Sequence, residues 1–129
     1  MEGKAISGPA RRVLVVEDQA DNRRILRDLL TSAGYEVVEA LTGEEGVATA
    51  LASPPDLILM DVQLPGIDGL EATRRIKAEP ALRAVPLIVV TSYALSGDDA
   101  RARAAGADDY VSKPFSPRAL LAKVRQHAP

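Results

Sequence analysis

The amino-acid sequence predicts an α/β fold built on a parallel sheet. Two observations carry that prediction. Short aliphatic runs alternate along the chain with amphipathic stretches of helical length. Three of those runs, Val13-Leu14-Val15-Val16, Leu57-Ile58-Leu59-Met60 and Leu87-Ile88-Val89-Val90, are continuously apolar rather than alternating. Unbroken apolarity suits central strands covered on both faces.

Taken in order, Val13–Val16 is the first strand. Ile25, Leu26, Leu29, Leu30 and Ala33 then form a stripe at helical spacing, and Gly34 is placed to end that helix. A weaker strand fits Glu36 to Ala40. Thr42 and Glu45 read as a capping box ahead of Val47, Ala48 and Leu51. Leu57–Met60 is the third strand. Asp68, with Glu71 three residues on, caps a helix that includes Ala72 and Ile76. Leu87–Val90 is the fourth strand. Ser96 is placed to cap a short, Ala-rich helix ending near Gly106, which is expected to be loosely held. Asp109 to Val111 makes the fifth strand. Ser116 and Pro117 open a last helix that carries Leu120, Leu121 and Val124.

The 129 residues fit one domain with an ordinary hydrophobic core. Residues 1–11, with Gly3, Ser7, Gly8 and Pro9, read as a flexible leader, and 12–129 as the folded domain. A formal charge of -2 gives no basic footprint, so direct nucleic-acid binding is not expected. No cysteine is present, which removes disulfides, thiolate metal sites and catalytic thiols. The apolar runs are too short to span a bilayer and the start lacks a signal peptide's apolar stretch. A cytoplasmic address without membrane attachment is the expectation.

The chemistry collects just after the strong strands. The first is followed by Glu17-Asp18, the third by Asp61, the fourth by Thr91-Ser92 and the fifth by Ser112-Lys113-Pro114. In an open parallel sheet these positions share the carboxyl-end rim, where ligands bind. Asp61 directly follows four apolar residues, a costly place for an unpaired charge. His127 reads as an exposed tail residue.

The segments Val13-Leu14-Val15-Val16-Glu17-Asp18, Leu59-Met60-Asp61-Val62-Gln63-Leu64-Pro65-Gly66-Ile67-Asp68-Gly69, Val90-Thr91 and Lys113-Pro114-Phe115 resemble the signature segments of response-regulator receiver domains of two-component signalling. The likeness is to chemotaxis-type regulators, and around Ala94 to Lys113 to stand-alone cell-division-type and hybrid-kinase receivers. It runs from about Arg12 to the end of the chain. The resemblance implies a doubly wound, flavodoxin-like sheet of order 2-1-3-4-5 with five helices.

It also implies roles. Asp61 would accept a phosphoryl group from a phosphohistidine. Asp18, Asp61 and the backbone carbonyl of Gln63 would hold Mg²⁺, for which Mn²⁺ can substitute, with Glu17 acting through water. Lys113 would reach the phosphoryl oxygens, and its bond to Pro114 would be cis. Thr91 would sense the phosphoryl group and Tyr110 would respond as the switch aromatic. Gln63 and Tyr93 would set the lifetime of the phosphorylated state. The implied partner is a histidine kinase or a histidine phosphotransfer protein, docking around Asn22, Ile25 and Leu26 unless the last two are core residues. The downstream target is open, as is the choice between a monomer and a phosphorylation-dependent dimer.

Such a chain is a switch rather than an enzyme, catalysing only its own phosphorylation and autodephosphorylation. Two other readings compete. A Mg²⁺-dependent aspartyl-phosphate phosphatase would resemble Asp-x-Asp at the nucleophile, whereas Val62 and Gln63 follow Asp61. A phosphorylation-silent binding module on the same fold would be expected to lack Asp61, Asp18 or Lys113. No Gly-x-Gly-x-x-Gly follows the first strand, which weakens a dinucleotide-binding reading further.

Overall fold

A computed structural model describes residues 10–92 and 98–129. Five strands and five helices alternate: β1 (Arg12–Val16), α1 (Ala20–Ser32), β2 (Glu36–Ala40), α2 (Gly43–Ala52), β3 (Leu57–Asp61), α3 (Gly69–Ala78), β4 (Leu87–Thr91), α4 (Asp98–Ala105), β5 (Asp109–Ser112) and α5 (Pro117–His127). The strands form one parallel sheet in the order β2-β1-β3-β4-β5. The chain therefore runs outward in one direction from β1 to β2 and in the other from β3 onward. That reversal puts a crevice at the carboxyl ends of β1 and β3.

Strand pleating sorts the core into two layers. Val13 and Val15 of β1, Leu57 and Leu59 of β3, and Ile88 of β4 face α1 and α5, meeting Leu26, Leu30, Leu120 and Val124. Leu14, Val16, Ile58, Met60, Leu87 and Val89 face the opposite side, meeting Ala50 of α2, Ala72 and Ile76 of α3 and Ala102 of α4. Every residue of β3 and β4 is buried, which explains why those runs are continuously apolar up to their last residue.

The helix starts follow from their caps. Thr42 Oγ1 accepts from the Glu45 N–H at 3.0 Å, Asp68 Oδ1 from the Glu71 N–H at 2.8 Å, and Ser116 Oγ from the Ala119 N–H at 3.2 Å. Glu45 reaches back past the cap to the Leu41 N–H at 2.7 Å, one residue further than a standard box. Gly34 adopts φ 97° just beyond α1, a left-handed turn that favours glycine. The expected cap Ser96 lies outside the described residues.

Some expectations need correction. Ile25 is 54% exposed, at the edge of the α1 stripe rather than within the core. In α2 the buried face is Gly43, Gly46 and Ala50, while Ala48 and Leu51 point to solvent. Small residues win there because α2 lies close to β1: a Cβ on Gly46 would sit 2.8 Å from Val16 Cγ2. His127 is not an exposed tail residue. It ends α5, half-buried, with Nε2 3.2 Å from Asp109 Oδ2. Asp109 also takes Lys123 Nζ at 2.9 Å and the Tyr110 N–H at 2.8 Å. Burial pushes its carboxyl up, but these donors outweigh it and hold the group below its ordinary pKa. Arg11, read as the end of the leader, already accepts the Glu36 N–H at 2.9 Å through its carbonyl.

Gly69 opens α3 against the backbone carbonyl of Asp61, and its own N–H donates to Val62 O at 2.9 Å. Any side chain at 69 would collide with that carbonyl, which no rotamer change relieves. Gly69→Ala is therefore expected to cost about 3 kcal/mol, read as a lower urea midpoint at unchanged slope.

Candidate functional site: the carboxyl-end rim

The parallel arrangement delivers five chemically active side chains to one rim. Glu17 and Asp18 follow β1, Asp61 ends β3, Thr91 ends β4, and Lys113 follows β5. Backbone bonds beyond the strands fix these ends: Glu17 N–H to Ala40 O at 3.0 Å, Val62 N–H to Val90 O at 3.1 Å, and Lys113 N–H to Thr91 O at 2.7 Å. The Lys113–Pro114 peptide is cis.

Lys113 Nζ lies 3.2 Å from Glu17 Oε1 and 3.3 Å from Asp61 Oδ1. Its ammonium thus bridges residues 96 positions apart and 52 positions apart, across the middle of the sheet. Glu17 is 1% exposed and Asp61 5% exposed. Burial pushes the carboxyls of both above their ordinary pKa. For Glu17 the neighbouring Asp61 charge adds to the rise, and for both Lys113 pulls the other way without cancelling it. Glu17 Oε2 accepts the Gln19 N–H at 3.1 Å, and Asp61 Oδ1 faces the Gln63 N–H at 3.4 Å.

Glu17, Asp18 and Asp61 each offer a carboxylate oxygen, and the three atoms lie within 4.8 Å of one another. Two of the three groups are buried, and only the Lys113 ammonium is paired with them among the described residues. Three closely placed carboxylates exceed one ammonium in charge. Hard oxygen donors with excess negative charge match what a small divalent cation requires. The group can therefore hold a metal ion.

Of the other expected site residues, Thr91 is fully buried at the end of β4. Tyr110, paired in register with Val89, is half-buried against the core on the α3 and α4 side. Sheet pleating puts Thr91 and Tyr110 on that same face. Gln63 is exposed, immediately outside Asp61. Tyr93 lies outside the described residues.

A cleft of about 530 Å³ adjoins the rim. Ile25, Leu26, Pro114 and Phe115 give it an apolar wall, and Asn22, Glu17 and Lys113 a polar end. Ile25 is exposed there and Leu26 is 3% exposed, so the pair divides between surface and core.

One part of the site escaped the sequence reading. Arg23 Nη1 donates to the carbonyl oxygens of both Glu17 and Asp18, each at 3.1 Å. Its Nε meets Glu39 Oε1 at 3.2 Å, and Glu39 Oε2 takes Arg27 Nη1 at 2.9 Å. The one available signal was a cation near the N-terminus of a helix, where the macrodipole disfavours it.

The chain is similar to known proteins in both sequence and fold. The family model described as "Response regulator receiver domain" matches residues 13–125. The chain is 39% identical over 117 residues to the polar-differentiation response regulator DivK of Brucella ovis, covering 91% of this chain and 95% of that one. Among solved structures, the receiver domain of a sensor histidine kinase of Pseudomonas aeruginosa, described with a magnesium ion coordinated in its active-site cleft, superposes with a TM-score of 0.87. It is 37% identical, over 92% of this chain and 98% of that one. A chemotaxis response regulator of Vibrio cholerae superposes with a TM-score of 0.86 at 29% identity, over 91% and 98% of the two chains.

The raised carboxyl groups fix the sign of a pH effect. The folded state holds its protons at Glu17 and Asp61 to higher pH than the unfolded chain does. Their contribution to stability is present below the unfolded pKa and is lost as pH rises through the folded one. In metal-free protein, Asp61→Asn is expected to raise the urea midpoint at pH 7.5, with the gain shrinking toward pH 4. Lys113→Met leaves two buried carboxylates without their cation and is expected to cost about 3 kcal/mol at neutral pH.

Proposed function

The chain belongs to the response regulator receiver family of two-component signalling, and from that premise we propose that it takes a phosphoryl group from a phosphohistidine onto Asp61 and relays the change through Thr91 and Tyr110. The observation that carries this reading is the buried Asp61 carboxylate, 3.3 Å from Lys113 Nζ at the carboxyl end of β3.

Asp61 supplies the attacking oxygen. Its Oδ–P bond forms as the P–N bond of the donor breaks, and the imidazole nitrogen leaves with the electron pair. The product is an acyl phosphate on Asp61. Anions must approach one another for this to happen, so the step depends on positioning and charge neutralisation. Lys113, already within ion-pair reach of Asp61, would turn to the incoming phosphoryl oxygens as a point charge on a flexible stem.

Asp18, Asp61 and the backbone carbonyl of Gln63 would hold Mg²⁺, with Glu17 contributing through water. When bound, the cation supplies the positive charge that the three carboxylates and the phosphoryl group together require. Mn²⁺ has the same preference for oxygen ligands and is expected to substitute. Thr91 offers a hydroxyl at the end of the neighbouring strand, able to donate to a phosphoryl oxygen. Tyr110, on the same sheet face, is placed to respond by changing its packing against the core on the α3 and α4 side. Gln63 and Tyr93 would govern access of water to the acyl phosphate and so its lifetime. The chain works as a switch rather than on a separate substrate, with residues 12–129 as the receiver.

The cleft walled by Ile25 and Phe115 supports docking of the phosphohistidine-bearing partner beside Asp61. That partner would be a histidine kinase or a histidine phosphotransfer protein, in the cytoplasm. An exposed isoleucine at its mouth suits an apolar helical face, and the polar end lies next to the acceptor.

Incubation with Mg²⁺ and acetyl phosphate is expected to add one phosphoryl group to the wild type by mass spectrometry. Asp61→Asn and EDTA-treated protein should show none. An adduct on Asp61→Asn, or one indifferent to EDTA, would overturn the reading. Ile25→Glu is expected to lose at least tenfold in transfer rate from a phosphorylated histidine partner, since burying an unpaired charge in an interface costs more than 1.4 kcal/mol. It should keep uptake from acetyl phosphate, which needs no docking surface.

A further inference from the structure

Arg23 stands on α1 near its N-terminus, where the helix macrodipole works against a cation. Its side chain is nonetheless only 16% exposed, so its position is fixed by neighbours rather than by solvent. A single nitrogen, Nη1, donates to two successive carbonyls, Glu17 O and Asp18 O, each at 3.1 Å. Successive carbonyls within reach of one donor must point to the same side of the chain. In an extended strand they point to opposite sides, so the backbone turns where β1 gives way to the acid pair. Arg23 satisfies both oxygens and holds that turn.

The guanidinium is fixed from behind. Glu39 of β2 receives Arg23 Nε at 3.2 Å and Arg27 Nη1 at 2.9 Å. Glu39 is about a quarter exposed and its Cα partner in the sheet is Val15, two residues before Glu17. The clamp therefore runs from β2 through Arg23 to the backbone that carries Asp18. The Arg23 N–H bonds Gln19 O at 2.9 Å in the first turn of α1, so the side-chain fork to Glu17 O and Asp18 O starts from a backbone position fixed by the helix.

We propose that Arg23 is a positioning residue for the metal end of the site: anchored by Glu39, it holds the Glu17–Asp18 backbone in the shape that aims the Asp18 carboxylate at a divalent cation shared with Asp61. This rests on the receiver reading above. Two physical effects oppose each other. The positive charge of Arg23 repels a cation, whereas its fork fixes the ligand. Glu39 and the two carbonyl oxygens absorb much of the charge, so the geometric effect wins. Lysine is no substitute, because one ammonium cannot match the planar fork that serves both carbonyls and Glu39 together.

The test is Mg²⁺ titration of EDTA-stripped protein, followed by amide NMR shifts and by calorimetry, on the wild type, Arg23→Met, Arg23→Lys and Glu39→Gln. Loss of a group that orients a metal ligand is expected to weaken Mg²⁺ binding about tenfold in both Arg23 variants. Glu39→Gln should shift the affinity in the same direction by less, and it alone decides the matter if Arg23→Met does not fold. Equal Mg²⁺ affinity in folded variants, with only a lower urea midpoint, would overturn the proposal and leave Arg23 a structural residue. So would tighter binding in Arg23→Met, which would mean that charge repulsion dominates. Wild-type affinity in Arg23→Lys would likewise overturn it, since charge alone would then suffice. A wild type that takes up no Mg²⁺ would sink the receiver reading itself, whereas a wild type that binds it alongside unaltered variants sinks this inference alone.

Discussion

Everything on the functional rim depends on one ammonium holding two buried carboxylates. Lys113 Nζ touches Glu17 and Asp61 from a third strand end, and neither acid has much solvent to lean on. The pairing is incomplete by design of the charges present: burial still raises both acids above their ordinary pKa. A site in that condition gains free energy from further positive charge and resists further negative charge until that charge arrives. The same tension that costs stability makes the rim receptive to a cation.

That tension is tolerable only because the backbone around it is tightly fixed. Gly69 brings α3 against the Asp61 carbonyl, and Gly46 lets α2 lie against Val16. Glu44 of α2 accepts the Ile67 N–H at 3.3 Å, tying the loop after Asp61 to the neighbouring helix. Away from the rim, Lys77 of α3 joins Val85 O at 2.7 Å and Asp108 at 2.9 Å, binding the elements that flank β4 and β5. Tyr35 Oη donates to the buried Ala128 carbonyl at 2.7 Å and fastens the end of α5 to the start of β2.

Legibility followed the range of the interaction concerned. The caps Thr42, Asp68 and Ser116 were readable because each serves an N–H three residues away. The strands were readable because burial on both faces demands unbroken apolar runs. The expected ends of β3 and β4 fell one residue short, since Asp61 and Thr91 are polar yet still belong to the ladder. Ile25 falls outside the core because helical spacing defines a stripe but not its edges, and in α2 close docking through Gly46 turns Ala48 and Leu51 outward. His127 was misread because its partner, Asp109, is 18 positions away on a different element.

The sequence by itself determined the order of strands and helices and the identities of the acids, hydroxyl and lysine that follow the strands. Those are local matters, governed by periodicity, capping and the cost of placing a charge after an apolar run. Only the tertiary structure decided that Lys113 bridges Glu17 and Asp61, that α2 rests on glycine, and that Arg23 spans two carbonyls while Glu39 holds it from β2. These contacts join residues brought together by the crossovers of a parallel sheet, and their energies depend on distance and burial, which exist only once the strands are paired.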